Sequence, residues 1–203
     1  FLNVPSDVTT TFRNVYHGSG RTQYIDAVAS SIEYRHVPED WRTTPLVLLG
    51  PLVDDVSEDL VIRLRDQAQR EGAAQLIGAS IQGWLRQWDN TGRVTQRYWE
   101  GTDVLSHLDV AFISEEDVGH RDLIELWADM VPILVVTMGP DGARLHYDET
   151  WHHVPGYPVS EIDPTGAGDV FAAAFLVKYE ETQDTLFSTR FANCAASFVV
   201  EGE

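Results

Sequence analysis

The sequence predicts an α/β fold in three layers, with helices on both faces of a mostly parallel sheet and an antiparallel hairpin near the N-terminal end. Three observations lead to this prediction. Short apolar strands alternate with helical segments from Pro45 onward, β-branched and aromatic residues alternate with polar ones before that point, and a glycine-rich loop precedes two closing helices. Parallel neighbours need crossover helices, so the strand and helix alternation favours a parallel sheet.

The N-terminal segment predicts an antiparallel hairpin. Residues 8–16 read VTTTFRNVY, residues 21–29 read RTQYIDAVA, and the HGSG between them is typical of a turn. Polar and apolar residues occur on both faces of the hairpin. It could therefore act as a flap over a site or form an ordinary sheet edge.

The remainder of the chain reads as strands and helices in turn. Residues 57–72 have helical spacing with Ser57 as a candidate N-cap and Gly72 as a stop signal. The predicted elements, in order, are a strand at 45–50, this helix, strands at 73–80 and 108–114, a helix near 120–130, a strand at 132–139, two antiparallel edge strands at 143–148 and 150–157, and helices at 166–181 and 184–200.

The composition excludes several classes of function. The chain has 203 residues with 32 acidic and 14 basic side chains, a formal net charge of −18, which argues against a nucleic-acid or anionic-membrane surface. The longest apolar runs, such as PILVVTM at 132–138, are too short to cross a bilayer. Cys194 is the only cysteine, so no intrachain disulfide can form and a cytoplasmic location is the default expectation.

The stretch DPTGAGDVFAAAF, residues 163–175, carries the strongest signal of chemistry. Pro164 ends any preceding regular structure, and glycines allow a backbone to approach a ligand closely. A helix N-terminus presents unpaired N–H groups with a partial positive charge. The amides of Gly166, Ala167 and Gly168 therefore form a candidate anion cradle, with phosphate as the expected anion.

Asp169 falls in the first turn of the helix that this loop begins. An acid at that point is common, because its interaction with the helix dipole stabilises by about 0.3–1 kcal/mol. The alternative is a general base that takes the proton of a hydroxyl while the hydroxyl attacks a phosphoryl group held by the amides. The residue types alone leave both interpretations open.

A second glycine-containing turn follows an apolar strand. In VVTMGPDGARL, residues 135–145, the strand delivers Thr137 and Gly139 to a turn that contains Gly142. Open α/β sheets bind ligands outside the carboxyl ends of their strands, where a hydroxyl and exposed amides can hold phosphate oxygens. A simple hairpin turn would give the same pattern.

Together, these motifs resemble the ribokinase-like (PfkB) family of carbohydrate kinases. DPTGAGDVFAAAF resembles the second signature of that family, TMGPDG resembles its Thr-x-Gly-x-x-Gly phosphate loop, and the N-terminal hairpin resembles its β lid. The resemblance implies a ribokinase-like fold, with residues 1–30 as part of the lid and residues 31–203 as an incomplete nucleotide-binding α/β domain.

The resemblance also implies roles for individual residues. The implied catalytic group is Asp169 as base, with the γ-phosphoryl group held by the amides of Gly166, Ala167 and Gly168. The implied nucleotide contacts are Thr137, Gly139, Gly142 and, beside the adenine pocket, Asn193.

Two cation sites are implied in the same way. Family members usually carry Asn-x-x-Glu before the phosphate-loop strand, where it orders the magnesium shell, and ISEEDV places Ser114 and Asp117 there with Glu116 adjacent. Serine is a poorer acceptor and aspartate is shorter, so a water would bridge to Mg²⁺, or the segment is only a charged strand-to-helix turn. Asp163 lies where many members bind a monovalent cation such as K⁺.

Residues 78–99, GASIQGWLRQWDNTGRVTQRYW, show no clear period, so they form either a loop near the site or a packing insertion. Their SIQGWLR portion resembles a Gln-Gly-x-x-Arg element of an inositol-kinase-like branch of the family. That resemblance implies Gln82 and Arg86 as substrate contacts. Alternatively, Trp84 and Trp88 merely pack the loop.

The implied function is ATP-dependent, Mg²⁺-assisted phosphorylation of a hydroxyl on a small-molecule sugar, polyol or nucleoside by direct in-line transfer. A sugar-phosphate kinase is one alternative, although its candidate cations Arg13, Arg21 and Arg86 form no obvious set. A non-catalytic nucleotide-binding regulator is another. A dinucleotide oxidoreductase is disfavoured because no Gly-x-Gly-x-x-Gly follows the first parallel strand.

Two further expectations follow from the resemblance. Lid sheets of this family often pair, so a homodimer through the lid is expected, with no nucleic-acid or membrane partner. The family's first strand and its Gly-Gly sugar-binding motif would precede Phe1, and a segment completing the nucleotide pocket would follow Glu203. We therefore expect the natural protein to be longer.

Overall fold

A computed structural model describes residues 2–17 and 20–202, and its helices and strands follow the predicted order. The strands are β1 (Thr11–His17), β2 (Gly20–Ala27), β3 (Leu46–Leu49), β4 (Leu76–Ser80), β5 (Arg86–Trp88), β6 (Val94–Gln96), β7 (Val110–Ser114), β8 (Ile133–Thr137), β9 (Ala143–Tyr147) and β10 (Thr150–Val154). The helices are α1 (Glu58–Glu71), α2 (Thr102–Leu105), α3 (Asp122–Ala128), α4 (Ala167–Thr182) and α5 (Thr185–Val200).

Six strands form the central sheet, in the order β10-β9-β8-β7-β4-β3. The neighbours β3, β4, β7 and β8 are parallel, whereas β9 runs antiparallel to both β8 and β10. The mostly parallel sheet with two antiparallel strands at one edge is therefore confirmed. Because the parallel strands share one direction, their carboxyl ends lie along the same edge.

Both faces of the sheet are buried, which explains why the parallel strands are continuously apolar. In β7, Ala111 and Ile113 belong to a core cluster with α1, α2 and α3, whereas Val110 and Phe112 belong to a second cluster with α4 and α5. Phe112 packs edge-on against Phe175 of α4, with ring centroids 5.5 Å apart. These two clusters define the three layers that the sequence predicts.

The N-terminal hairpin is present and pairs β1 with β2 in antiparallel register. Residues 18 and 19 of its predicted HGSG turn lie outside the described residues. A second antiparallel ribbon, β5–β6, continues this lid, since Tyr24 bridges to Arg93 and the Ile25 amide donates to the Gly92 carbonyl at 2.8 Å. The lid region thus consists of two connected ribbons rather than one hairpin.

Residues 78–99 are more regular than their sequence suggests. After β4 they form a 3₁₀ helix, Ile81–Leu85, followed by the β5–β6 ribbon. Trp84 is buried and its indole N–H donates to the Val56 carbonyl at 2.9 Å, whereas Trp88 is 40% exposed. Packing therefore accounts for Trp84 but not for Trp88.

The first long helix begins and ends close to its predicted boundaries. Ser57 occupies the N-cap position of α1, although its side chain makes no capping hydrogen bond, and Gly72 ends the helix in the left-handed conformation. No helix in the described ranges is both long enough and apolar enough to cross a membrane.

Candidate active site

The loops that carry the predicted site residues meet at the carboxyl edge of the parallel strands. Ser114, at the end of β7, lies opposite Thr137, at the end of β8, and Ser80 at the end of β4 lies opposite Phe112. The connections that follow these strands therefore open on the same side of the sheet. This is the edge at which open α/β sheets bind ligands.

The glycine-rich loop leads directly into α4. Gly166 is the N-cap residue, with a positive φ of 84°, and α4 begins at Ala167. The Ala167 amide donates to the Pro164 carbonyl at 3.1 Å, so the turn itself uses this donor. Among the described residues, the amides of Gly166 and Gly168 have no hydrogen-bond partner, and a Cβ built on either glycine meets no atom within 4 Å. Two of the three predicted donors thus have no partner among the described residues, at the N-terminus of a helix.

Asp169 is the third residue of α4 and is exposed. Its carboxylate forms no hydrogen bond or ion pair with any described residue. The side chain therefore lies one residue from the Gly168 amide, and among the described residues it interacts only with the dipole of α4. Such a carboxylate is available to accept a proton from a ligand.

Asp163 organises the start of the loop. Its Oδ1 atom accepts a hydrogen bond from the Thr165 amide at 2.9 Å. Hydrogen bonds from the Thr165 hydroxyl and amide lower the pKa of the Asp163 carboxyl, so the charged form is favoured. The predicted cation-binding role of Asp163 stays a prediction, since the described contacts account for the carboxylate as a turn former.

The turn after β8 places Thr137 and Gly139 side by side. The Thr137 hydroxyl donates to the Ile113 carbonyl at 3.4 Å, and a 3₁₀ turn follows at Gly139–Asp141. A Cβ built on Gly139 meets no atom within 4 Å, so this residue also borders open space. A hydroxyl and a bare backbone thus lie at a strand end, and phosphate binding by Thr137 and Gly139 stays a prediction.

Gly142 and Asn193 have structural roles that the sequence did not reveal. A Cβ on Gly142 would lie 2.3 Å from both the Val154 carbonyl oxygen and the Gly156 amide nitrogen. The buried Asn193 side chain donates to the carbonyls of Val154 and Pro155, at 3.3 and 3.2 Å. Both residues thus join the end of β10 to its neighbours, and their contribution to a nucleotide site stays a prediction.

A cavity of about 320 Å³ lies between the two ribbons and the loops that follow β4 and β7. Its walls come from β2, the β5–β6 ribbon, the 3₁₀ helix after β4 and the Glu115–Asp117 turn after β7, and we call it the ribbon cavity. Gln82, Arg86 and Asp117 all line it. The structure therefore brings together two predicted substrate residues and one predicted metal residue that lie far apart in the sequence.

Arg86 is the central contact of this group. Its guanidinium donates to the Leu52 carbonyl at 2.8 Å and lies 3.5 Å from the Gln82 amide oxygen and 3.7 Å from the Asp117 carboxylate. It also lies over the ring of Phe12 in β1, 5.4 Å from the centroid. The Arg86 side chain is only 12% exposed, so these contacts hold it in place. One residue thus connects the lid with loops after three strands.

The predicted magnesium residues lie at the cavity edge without forming a complete cage. The Ser114 hydroxyl accepts a hydrogen bond from the Glu116 amide at 3.3 Å, and Asp117 faces Arg86. Within the described ranges, no three metal-binding side chains come together. Mg²⁺ in phosphoryl-transfer sites keeps several waters and takes most other ligands from phosphates. The residues present therefore fit a Mg²⁺ ion that is bound mainly by the phosphates of a ligand, with Asp117 as the one protein carboxylate nearby.

The β5–β6 ribbon is the part of the site that the sequence interpretation missed. A local signal was present in WDNTGRV, where Asp-Asn-Thr-Gly separates two short β-compatible runs. The Asp89 carboxylate accepts hydrogen bonds from the Thr91 hydroxyl at 2.6 Å and from the amides of Thr91 and Arg93, which lowers the pKa of the Asp89 carboxyl. This turn positions the ribbon against β2.

An open sheet with a glycine-rich helix N-terminus at its ligand edge and a lid above that edge defines the ribokinase-like class of α/β proteins. Residues 96–203, slightly more than half of the chain, match the profile of the pfkB family of carbohydrate kinases, and the chain belongs to this family. The match covers β7 to β10, α4 and α5 but not the β1–β2 hairpin.

Relatives named as sugar kinases align with part of the chain. Fructokinase-2 from Oryza sativa subsp. japonica is 34% identical over 92 residues, which is 44% of this chain and 27% of the relative. Ribokinase from Bacillus subtilis is 43% identical over 67 residues, which is 33% of this chain and 23% of the relative. The aligned segments thus span only about a quarter of these relatives.

Solved structures share the fold over nearly the whole chain. A pyrophosphate-dependent kinase in the ribokinase family, complexed with a pyrophosphate analog and myo-inositol, has a TM-score of 0.78 at 22% identity and covers 96% of this chain and 70% of its own. Ribokinase from Thermotoga maritima has a TM-score of 0.68 at 17% identity, covering 94% of this chain and 63% of its own. These likenesses confirm the ribokinase-like fold.

Proposed function

We propose that the protein transfers the terminal phosphoryl group of ATP to a hydroxyl of a sugar, polyol or nucleoside. The observation that carries this proposal is the pairing at the start of α4 of an exposed, unpartnered carboxylate, Asp169, with two open amide donors, those of Gly166 and Gly168. Membership in the pfkB family supports it, as do the relatives named fructokinase and ribokinase.

The geometry supports direct in-line transfer. Asp169 would take the proton of the acceptor hydroxyl as the new oxygen–phosphorus bond forms and the bond to the leaving phosphate oxygen breaks. The amides of Gly166 and Gly168 and the dipole of α4 would stabilise the charge on the transferring group. Amides suit this chain because Lys178 is its only lysine, so no other lysine can serve as a phosphate-binding cation.

The donor would lie along the loops after β8. The Thr137 hydroxyl and the open backbone at Gly139 would contact its phosphates. A bound Mg²⁺ would neutralise phosphate charge, and Asp117 would hold it through a water. ATP is the proposed donor, and pyrophosphate belongs in any test because three structurally similar solved structures are of pyrophosphate-dependent kinases.

A non-catalytic nucleotide-binding role is the second candidate, favoured by one observation. Asp117 faces Arg86 at 3.7 Å, and the adjoining Ser114 replaces the usual amide, so the expected magnesium residues are altered in type and engaged elsewhere. A regulator would retain donor binding at the glycine loops without turnover. Pairing of lids into a homodimer and binding of K⁺ near Asp163 stay predictions in either case.

The deciding experiment uses the full-length protein with Mg²⁺ and either ATP or pyrophosphate. D-fructose, D-ribose, myo-inositol and adenosine serve as acceptors, and phosphorus NMR detects the phosphate ester while a coupled assay follows ADP. We expect ester formation from at least one acceptor with ATP. Donor binding without ester from any acceptor would replace the kinase assignment by the regulatory one.

A further inference from the structure

We infer that the acidic surface of this protein interacts with dissolved monovalent cations, K⁺ or Na⁺, at molar concentration, and that the fold requires such a medium for its full stability. The chain carries 32 acidic and 14 basic side chains, a formal net charge of −18 in 203 residues. A net charge of this size keeps a protein soluble but destabilises its compact state through self-repulsion. The inference concerns the folded state and does not rest on the phosphoryl transfer proposed above.

The acidic side chains of the described residues all reach solvent. No acid is among the buried polar side chains in that part of the chain, which are glutamine, serine, threonine and asparagine groups. A carboxylate keeps its charge where water hydrates it, so these acids are ionised on the surface at neutral pH. Dissolved ions therefore meet nearly the whole negative charge of the protein.

Ion pairs neutralise only a minority of this charge. Nine acids pair with a base in the described ranges, fewer than a third of the 32 in the chain. Most of these pairs are exposed, such as Arg63 with Asp59 at 2.6 Å and Arg70 with Asp66 at 3.5 Å, both on α1. Exposed pairs contribute little to stability. The described pairs thus leave most of the repulsion uncompensated.

Several acids lie where the fold itself disfavours them. The C-terminal end of a helix has a partial negative charge, so an acid there is repelled, and salt screens this repulsion. Of the described helices, four have an acid at this end: Glu71 in α1, Asp129 at the C-cap of α3, Glu180 in α4 and Glu201 at the C-cap of α5. The last turns of α3, α4 and α5 contain no base. This repulsion arises only when the helices form, so it lowers the stability of the fold at low salt.

Folding also brings distant charges together. A chain of 203 residues has a radius of gyration of about 17 Å when folded and about 48 Å when unfolded. Burial, and then the charges of Asp109 and Asp148, raise the pKa of Tyr179, so two acids from different strands act on one site. The screening length falls from about 10 Å at 0.1 M salt to about 3 Å at 1 M. Molar salt therefore removes repulsion that dilute buffer leaves in place.

The distribution of the acids favours small cations over a basic macromolecule. Acids recur from Asp7 to Glu201, and their longest run is three residues, Glu115–Asp117. A basic partner would require the charge to be gathered on one face, whereas dissolved ions reach every face. Because no three metal-binding side chains come together in the described ranges, we expect a diffuse layer of ions rather than one bound cation.

The experiment follows thermal unfolding of the full-length protein by circular dichroism at neutral pH, without phosphoryl donor or acceptor. KCl is raised from about 0.1 M to about 2 M, with NaCl and sorbitol in parallel series. We expect KCl to raise the unfolding midpoint by about 10 °C or more. NaCl should act like KCl, because screening depends on charge. Sorbitol favours compact states without screening, so its effect should be smaller.

A triple variant, Glu71→Lys, Asp129→Lys and Glu180→Lys, tests the role of charge. It replaces three acids by three bases, so the formal net charge changes by six, from −18 to −12. The unfolding midpoint at low salt should rise, because each lysine is favoured at the C-terminal end of its helix. The further rise with KCl should shrink by about half, since self-repulsion scales with the square of the net charge.

The matched control keeps the charge at the same three positions, through Glu71→Asp, Asp129→Glu and Glu180→Asp. Its unfolding midpoint should rise with KCl as much as that of the unaltered protein. If either triple variant does not fold, the comparison of KCl, NaCl and sorbitol on the unaltered protein carries the test.

Four results would overturn the inference. They are equal unfolding midpoints at the two ends of the KCl series, a sorbitol effect as large as that of KCl, a full KCl effect in the lysine variant, and a K⁺ effect that saturates at millimolar concentration and is absent with Na⁺. The last result would indicate one bound cation instead of a diffuse layer. Because no donor or acceptor is present, failure of the phosphoryl-transfer assay would leave these measurements unaffected.

Discussion

The glycine loop and the ribbon cavity, the two regions of the candidate site, consist of different chemical groups. At the glycine loop, backbone amides and an exposed carboxylate border open space, and Asp169 has no partner among the described residues. In the ribbon cavity, side chains hold one another, with Arg86 contacting Phe12, Gln82 and Asp117. The glycine loop offers backbone groups because its glycines have no side chains. The ribbon cavity is formed by side chains that other side chains hold in place.

This difference suggests that the two regions have different functions. Amides at a helix N-terminus stabilise developing charge without rearranging, because the backbone already orients them. Selection between similar acceptors requires side chains that are held in place, because a misplaced donor loses its hydrogen bond. Substitutions at the glycine loop should therefore change rate, whereas substitutions in the ribbon cavity should change acceptor affinity.

The largest effect is expected from Asp169→Asn in the full-length protein. Loss of the general base should lower turnover by about 10²–10⁴-fold, whereas affinity for ATP should change little because the amide donors remain. Steady-state kinetics and ATP titration by calorimetry measure the two quantities separately.

Asp59→Asn is the matched control for this change. Asp59 also lies in the first turn of a helix, is exposed, and forms an ion pair with Arg63. Both substitutions should alter the free energy of unfolding by a similar small amount, about 0.3–1 kcal/mol, since both remove a favourable interaction with a helix dipole. Equal turnover in the two variants would show that Asp169 is not the general base and only stabilises the helix.

Gly142→Ala should destabilise the fold. Gly142 has a φ of 88°, which strains other residues, and its added Cβ would overlap the backbone of Val154 and Gly156. The combined strain and overpacking should cost roughly 2–4 kcal/mol in the free energy of unfolding, measured by urea denaturation. Unchanged stability would mean that the loop after β10 moves freely away from the β8–β9 turn.

Gly168→Ala should have the opposite effect to Gly142→Ala: it should lower turnover without destabilising the fold. No atom lies within 4 Å of its built Cβ, and alanine is a better helix former than glycine, so stability should stay equal or rise by up to about 1 kcal/mol. The methyl group would occupy the space beside the amide donors, so turnover should fall by about 10–100-fold. A variant with full activity would show that no ligand approaches this part of α4.

The glycine loop could be predicted from sequence because its causes are local. Pro164 ends the preceding segment, Gly166 adopts the positive φ of the N-cap, and α4 begins within one residue of its predicted start. The mostly parallel sheet with two antiparallel edge strands was equally predictable from the alternation of apolar strands and helices. At Gly142 the sequence pattern was ambiguous, because a glycine required by backbone packing gives the same pattern as one required by a ligand.

The ribbon cavity could not be predicted in this way. Thr22, Gln82, Gln96 and Asp117 come together only because the lid folds across the carboxyl edge and β5–β6 pairs with β2. Strands of three residues are too short to show a period of two, so β5 and β6 left only their Asp-Asn-Thr-Gly turn as a signal. Contacts of this kind depend on tertiary structure that no single segment encodes.

The smallest expected effect is on the pKa of two aspartates, one in a turn of the glycine loop and one in a similar turn of the ribbon. Asp163 in the glycine loop and Asp89 in the ribbon each accept hydrogen bonds from a threonine two residues later, and these bonds lower the pKa of both carboxyls. A carboxyl whose pKa is lower in the folded than in the unfolded protein stabilises the fold above its unfolded pKa. That contribution is lost as the pH falls through the folded pKa. Both side chains are exposed, so the effect should be local.

Amide NMR resonances of Thr165 and Thr91 provide the measurement. Each should titrate with a midpoint below the ordinary aspartate value of 3.8. Thr165→Val removes the hydroxyl that contributes most at Asp163, so the midpoint at residue 165 should rise while that of Thr91 stays unchanged; Thr91→Val should do the reverse. If Thr165→Val leaves the midpoint at residue 165 unchanged, the glycine loop is ordered by its backbone alone. The turn of the glycine loop would then differ from the turn of the ribbon, as the two regions differ elsewhere.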